Sequence, residues 1–412
     1  MKVVQVTTSS KGGAGIAALR LHRALREQGV ASAFLSKDLC IDFNNRTFDN
    51  TFFKYKKPSF LKLLLLKLQR KFFPTFHQKV TTKLARLKPK LNFENLTIPC
   101  SHFDLESHPL VSEADILNLH WVGGLIDYER FFSHIKKPVV WTLHDMNPFS
   151  GIFHYRTDEK RNKAVAEEFS DHILQYKITT LKKIRNGALI SPSKWLLNEA
   201  VNGKVFAHFN PKICIPNAID LDLFNVQDPN PFRLKHGIGT DEFVLLFISH
   251  SLDIKRKGLD LLMAALERLS QFPITLLTVG KGEAKLLGTH IKIISLGKIN
   301  SQEEMASCYA MANGFMIPSR EDNLPNVMLE SLACGTPVIA FPVGGMLEHI
   351  KEGVTGSLAK EVSDEALAGA IQHFYKTRNA YQTDVVRAYA EEHFSFKNQA
   401  NSYKGVYDEL LK

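Results

Sequence analysis

Short apolar runs alternate with longer stretches of helical spacing along most of the chain, and that alternation limits the folds open to it. The runs at 3–7, 31–36, 115–120, 139–143, 188–190 and 212–215 read as buried strands. A second set follows at 243–248, 274–279, 291–296, 315–317 and 338–341. Helical patterns such as 16–28, 303–311 and a stretch ending near 269 lie between them. Buried strands separated by helices imply parallel sheets covered on both faces, a doubly wound α/β architecture. A length of 412 residues suggests two such domains or one large one. No tandem repeat is visible, and the pattern restarts after residue 213.

In such sheets ligands bind outside the carboxyl ends of the strands, so the polar segments that follow the apolar runs are the candidates for chemistry. The richest is IPSREDNLPNVMLESLACGTPVIAFPVGGMLEHI, residues 317–350. Pro318 stops a strand, and a polar loop with Glu321 and Asp322 follows. Asn326 is the expected N-cap of a helix over 327–334, closed by Gly335 and Pro337. Glu330 lies inside that helix, eight positions after Asp322. At the start of the chain, Ser9-Ser10-Lys11-Gly12-Gly13-Ala14-Gly15 joins a strand to a helix. Glycine amides and a helix N-terminus together make a potential anion site, although the G-x-x-x-x-G-K-[ST] pattern of a P-loop is missing. Two further clusters, NLHWVGG from Asn118 and HDMNPFSG from His144, also follow strands. Their bland reading is a capped turn that holds the sheet rim together.

The spacing of an acid, seven residues and a glutamate, followed by a small-residue helix and Gly-Thr-Pro-Val, resembles the nucleotide-sugar signature of the GT-B glycosyltransferases, in particular the large retaining family 4. Asp322 and Glu330 fit that spacing, with Glu321 the alternative first acid. NLHWVGG and WTLHDMNPFSG resemble a surface-polysaccharide assembly branch of the family. The resemblance implies a GT-B fold of two Rossmann-like domains facing across a cleft. An acceptor-side domain would cover 1–213, with a basic amphipathic insertion at 43–100. A nucleotide-sugar domain would cover 214–393, and a helix over 394–412 would pack back on the first domain. By the same resemblance Asp322, His144 and Glu330 form the catalytic group. Glu330 would hold the ribose hydroxyls, Asp322 and His144 the sugar, and Asn323, Leu324 and Pro325 the donor. Gly12 and Gly13 would face the diphosphate, and Lys298 and Ile299 the base. Lys257 matches the family's phosphate-clamping lysine. The family's clamping arginine has no counterpart at 249–253, where Lys255 or Arg256 could substitute, and Arg256 is the residue assigned to the donor.

Charge bears on the acceptor. Of a net +10, the segment 51–93 alone supplies twelve Lys or Arg and no acid, so the rest of the chain is near neutral. A nucleic-acid binder would spread its charge differently, and nucleic acid is not an expected partner. PSFLKLLLLKLQRKFFP within this segment reads as a basic amphipathic helix, either packed on its own domain or docked on an anionic membrane. Each basic residue near such a surface contributes roughly 1 kcal/mol. The basic segment suggests, and the family resemblance implies, an acceptor that is a lipid-linked or oligosaccharide hydroxyl at the inner face of the cell membrane. Surface polysaccharide or lipopolysaccharide assembly is what the resemblance alone implies. The five cysteines form no C-x-x-C pair or Cys/His cluster, which suggests neither disulfides nor zinc. A cytoplasmic setting is expected, with no signal peptide. No metal and no cofactor are expected beyond the nucleotide-diphosphate sugar as co-substrate. A GT-B epimerase and a non-catalytic nucleotide-sugar scaffold are the alternative functions, and a nucleic-acid-binding protein is a third rival.

Overall fold

The computed structural model describes residues 1–48, 50–53, 75–284 and 291–412. They divide into two compact units. Unit 1 holds residues 1–191, 196–214 and 401–412, and unit 2 holds 192–195 and 215–400. The chain passes between the units after Cys214, one residue beyond the boundary expected from the sequence.

Unit 1 is built on a seven-stranded sheet of β1 (Lys2–Val6), β2 (Ala31–Leu35), β3 (Cys40–Ile41), β4 (Ile116–Leu119), β5 (Val139–Thr142), β6 (Gly187–Ser191) and β7 (Lys212–Cys214). The strand order is β3-β2-β1-β4-β5-β6-β7. All neighbours run parallel except β3, which pairs antiparallel with β2. Every residue of β4, β5 and β6 is buried. That explains why these strands read as unbroken apolar runs rather than as alternating ones. The order reverses between β1 and β4, which makes the loops after these two strands the switch point of the sheet.

Unit 2 carries six parallel strands, β8 (Phe243–Ser251), β9 (Ile274–Lys281), β10 (Lys292–Gly297), β11 (Gly314–Ile317), β12 (Val338–Ala340) and β13 (Gly356–Leu358). Their order is β10-β9-β8-β11-β12-β13, with the reversal between β8 and β11. Two apolar clusters flank this sheet. One is centred on Tyr309, Phe315, Met328 and Leu332, and the other on Leu262, Leu276, Ile339 and Phe374. The alternation of side chains along β11 divides between them, with Phe315 and Ile317 in the first and Met316 in the second.

One sequence expectation needs correction. The helix after the acid loop spans Asn326–Ala333 with Pro325 at its N-cap, one position earlier than expected. Asn326 is helical, and its Oδ1 accepts from Asn217 Nδ2 at 3.4 Å. At the start of the helix Lys194–Val201 the Glu348 carboxylate accepts from Lys194 N at 3.0 Å and Trp195 N at 2.9 Å. Ser193 Oγ donates to Asn323 Oδ1 at 2.5 Å.

The described part of the basic insertion is packed on unit 1. The helix Phe76–Leu87 opens with a full capping box between Thr75 and Gln78. Its Val80 is buried in a cluster with Cys100, Ile152, Phe153, Phe169 and Ile173. Phe76 stacks on Tyr176 with ring centroids 3.8 Å apart. The amphipathic stretch at 58–74, on which the membrane reading rested, lies outside the described residues. Among the described residues no helix is long and apolar enough to cross a membrane.

Candidate active site

In unit 2 the loops after β8 and β11, the two strands at the switch point, lie against each other. Backbone and side chains both close the gap. Arg320 N–H donates to the Arg256 carbonyl at 2.8 Å, and Arg256 Nη1 donates to the Glu321 carbonyl at 2.9 Å. Gly258 makes the approach possible. Its φ is +75°, and a Cβ there would sit 1.8 Å from the Pro318 carbonyl oxygen. The Gly344–Gly345 turn after β12 presses on the same loop from another direction. A Cβ at Gly344, whose φ is +55°, would lie 1.9 Å from the Asp322 carbonyl oxygen.

This packing brings together residues 65 positions apart. Lys257 Nζ donates to Asp322 Oδ2 at 2.6 Å, and Arg256 Nη1 lies 3.4 Å from the same oxygen. Ser319 Oγ adds a hydrogen bond at 3.3 Å. The three charged side chains are 12–23% exposed. Burial pushes the Asp322 carboxyl up, but the Lys257 and Arg256 charges outweigh it and hold the group below the usual carboxylate range. Asp322, the acid favoured by the spacing, thus has Lys257 and Arg256 as charged partners. Lys255 faces away from this group and pairs with Asp260, which also takes a two-point contact from Arg320 at 2.7 and 3.0 Å.

Glu330 is buried, and its Oε2 accepts from Tyr309 Oη at 3.0 Å. Tyr309 comes from the helix Gln302–Met311 and is itself held by its carbonyl, which accepts from Thr336 Oγ1 at 2.8 Å. Its ring packs edge-on against Phe315. A buried tyrosine therefore fixes one oxygen of the carboxylate. Asn323 donates its amide to Asp322 Oδ1 at 3.2 Å, and its carbonyl accepts from Gly345 N at 2.6 Å. The Leu324 side chain is in the core, which leaves its backbone as the part able to meet a ligand. Lys298 is exposed and Ile299 half-buried just after β10.

In unit 1, Gly12 opens the helix Gly12–Glu27 without a side-chain cap. Asp38, not anticipated from the sequence, accepts from Ser10 N–H at 2.7 Å and Ser9 Oγ at 2.9 Å. An acid therefore already holds part of the glycine loop. His144 and His120 follow the ends of β5 and β4, with His120 Nδ1 and His144 Nε2 3.0 Å apart. Gln5 Oε1 lies 2.9 Å from His120 Nε2 and accepts from Asn118 Nδ2 at 2.9 Å. A carbonyl oxygen only accepts, so His120 Nε2 carries the proton. His120 Nδ1 then accepts, and His144 Nε2 is the donor. Burial pushes His144 down to about 4, so both rings are neutral near pH 7. Tyr407 Oη accepts from Asn118 Nδ2 at 3.0 Å, which ties residues 401–412 into the network.

Asp145 and Asn147 follow the bland reading. Asp145 holds Trp121 Nε1 at 2.9 Å, His154 Nδ1 at 2.6 Å and the Asn147 amide at 2.9 Å. Lys177 is fully buried beneath the same turn and donates to the carbonyls of Asn147, Ser150 and Gly151. Lys177 carries no signal in the sequence, because an isolated lysine in a helix reads as solvated. Cys100, His77 and Asp127 meet in unit 1 through chain separations too long for a spacing motif.

The two sheets, with their reversed strand order, define a GT-B fold. Residues 242–377 match the family model described as Glycosyl transferases group 1. Along the whole chain, 22% of 415 aligned residues are identical to N-acetyl-alpha-D-glucosaminyl L-malate synthase of Bacillus anthracis, covering 98% of this chain and 95% of that protein. Sucrose-phosphate synthase from Thermosynechococcus elongatus superposes with a TM-score of 0.64 at 19% identity, covering 99% of this chain and 98% of that one. The Anabaena protein HepE in complex with UDP-glucose gives 0.63 at 18% identity, covering 99% and 100%.

Proposed function

We propose that the chain is a retaining glycosyltransferase that moves a sugar from a nucleotide-diphosphate sugar to an acceptor hydroxyl, without a metal in the catalytic step. The observation that supports this most is the meeting of Lys257, Arg256 and Asp322 at the β8–β11 switch point, where an α/β sheet binds its ligand. As the bond from the sugar's anomeric carbon to the diphosphate breaks, negative charge grows on the departing phosphates. Lys257 and Arg256 are the cations that meet it. The acceptor oxygen bonds to the anomeric carbon on the same face, and its proton leaves with the diphosphate. Asp322 is freed from the two cations by the incoming phosphates and takes up the sugar's hydroxyls. Glu330, oriented by Tyr309, takes the ribose hydroxyls. Gly12, Gly13, His144, Lys298 and Ile299 keep their donor assignments on the sequence resemblance alone.

For the acceptor, the basic segment 51–93 supports a lipid-linked or oligosaccharide hydroxyl in surface polysaccharide assembly. The full-length similarity to a protein named for a malate glycoside favours a second reading, a small hydroxy-acid acceptor. A thermal-shift screen of nucleotide diphosphates and nucleotide sugars on wild type and Glu330→Ala tests the donor site. One nucleotide series should raise the melting temperature of the wild type and fail to do so in the variant. Equal responses, or none, would remove the donor assignment. Incubation with the selected donor alone, with malate and with a lipid-linked acceptor then separates epimerase, small-acceptor and glycolipid chemistry.

A further inference from the structure

Unit 1 contains a group of metal-ligating side chains that the proposed transfer does not use. His77 is the second residue of the helix Phe76–Leu87. Asp127 caps the helix Tyr128–His134 through Oδ1, which accepts from Arg130 N–H at 3.1 Å. Its Oδ2 points the other way, to 3.9 Å from His77 Nδ1. Cys100 completes the group, and one donor atom from each of the three lies within 4.8 Å of the others. The thiol is buried, and the His77 and Asp127 side chains are 20% and 17% exposed. His102 stacks on the His77 ring at 4.4 Å.

The distances matter. At 3.9 Å His77 and Asp127 are too far apart to hydrogen-bond directly, but they are close to the separation of two ligands on one ion. Bonds of about 2.0–2.3 Å in tetrahedral geometry place donor atoms roughly 3.3–3.8 Å apart. The group therefore needs to contract by about an ångström to share a cation. Its chemistry also selects the cation. Imidazole, thiolate and carboxylate together suit Zn²⁺, whereas Mg²⁺ and Ca²⁺ prefer all-oxygen sites.

We propose that His77 Nδ1, Cys100 Sγ and Asp127 Oδ2 bind one Zn²⁺, with a water in the fourth position. The ion would join the helix Phe76–Leu87, the segment at residue 100 and the cap of the helix Tyr128–His134. A thiol binds zinc as thiolate, so binding would release a thiol proton to solvent as the Zn–S bond forms, and affinity would rise with pH.

The test uses the full chain without a histidine tag, stripped with chelator and re-purified. Zn²⁺ is titrated by calorimetry, and bound metal is counted by elemental analysis. Co²⁺ substitution is read in the near ultraviolet, where a cobalt–thiolate charge-transfer band reports a sulfur ligand. One equivalent of Zn²⁺ and a thiolate band are expected. Cys100→Ser should abolish the band, and His77→Gln and Asp127→Asn should each weaken Zn²⁺ binding at least 10-fold. Circular dichroism checks that each variant folds, and the partly exposed His77→Gln decides the matter if Cys100→Ser does not fold. Glu330→Ala should bind Zn²⁺ as the wild type does, so failure here is separable from failure of the donor site. Absence of stoichiometric Zn²⁺, or equal affinity and an unchanged cobalt spectrum in the folded variants, would overturn the proposal.

Discussion

In the proposed donor site Asp322 and the donor phosphates compete for the same two cations, and Asp322→Asn separates their contributions. At an effective dielectric constant of about 20, the contacts at 2.6 Å to Lys257 and 3.4 Å to Arg256 have gross Coulomb energies of roughly 6 and 5 kcal/mol. Most of this is offset by desolvation. Removing one partner of a buried pair typically costs about 3–5 kcal/mol, and the 12–23% exposure of these side chains lowers the expectation to about 2–3 kcal/mol. For a domain near 200 residues that is a fall of roughly 5–10 °C in the melting temperature. The same change removes the Asp322 charge from beside Lys257 and Arg256. Inorganic pyrophosphate and the nucleoside diphosphate found in the screen should therefore bind Asp322→Asn more tightly, by about 10-fold or 1.4 kcal/mol. Transfer should fall by about 100-fold or more, because the sugar loses its carboxylate. Calorimetric titration of both diphosphates, beside Lys257→Met as the variant that loses affinity, reads the outcome. A less stable Asp322→Asn whose diphosphate affinity is unchanged or weaker would refute the competition.

The remaining expectations concern single contacts. Tyr309→Phe keeps the ring against Phe315 but removes the hydroxyl that holds Glu330, so donor Kd should rise about 10-fold with a stability loss of about 1–2 kcal/mol, measured by calorimetry and urea unfolding. Tyr407→Phe removes a buried acceptor from the Asn118 and Gln5 side-chain amides, and the unfolding free energy should fall by about 1–3 kcal/mol. Lys177→Met leaves three buried carbonyls without their ammonium donor and should cost about 3 kcal/mol or more in denaturant melts. Burial pushes His22, His108, His144 and His349 down to about 4 from 6.5. The unfolded chain therefore binds more protons between these values, and the stability held above pH 6.5 should be lost progressively as pH falls to 4. A melting temperature that stays flat from pH 7 to 4.5 would contradict this.

The strands were legible because parallel sheets bury both faces, so β4, β5, β8 and β9 stand out as apolar runs. The two-residue β3 and the strand Gly356–Leu358 were not, since such short segments carry no period. The acid pair was legible from its spacing, because Asp322 and Glu330 are fixed by one local loop and helix. What each acid touches was not. Lys257 reaches Asp322, and Tyr309 reaches Glu330, through the order in which strands join the sheet. Asp38 on the glycine loop and Glu348 on the helix Lys194–Val201 were missed for the same reason. The Glu348 carboxylate comes from 154 residues away, beyond the reach of any local pattern.

The discontinuity of unit 1 has a consequence for synthesis. Its first 214 residues leave the ribosome well before residues 401–412, which carry Tyr403 and Tyr407 into the polar network under His144. The 186 residues between Cys214 and Asn401 take roughly 10–40 s to translate at about 5–20 residues per second. For that interval Gln5, Asn118 and Thr142 wait for their tyrosine partners. Nascent unit 1 should accordingly remain sensitive to protease until residues 401–412 have emerged, by which point unit 2 is whole.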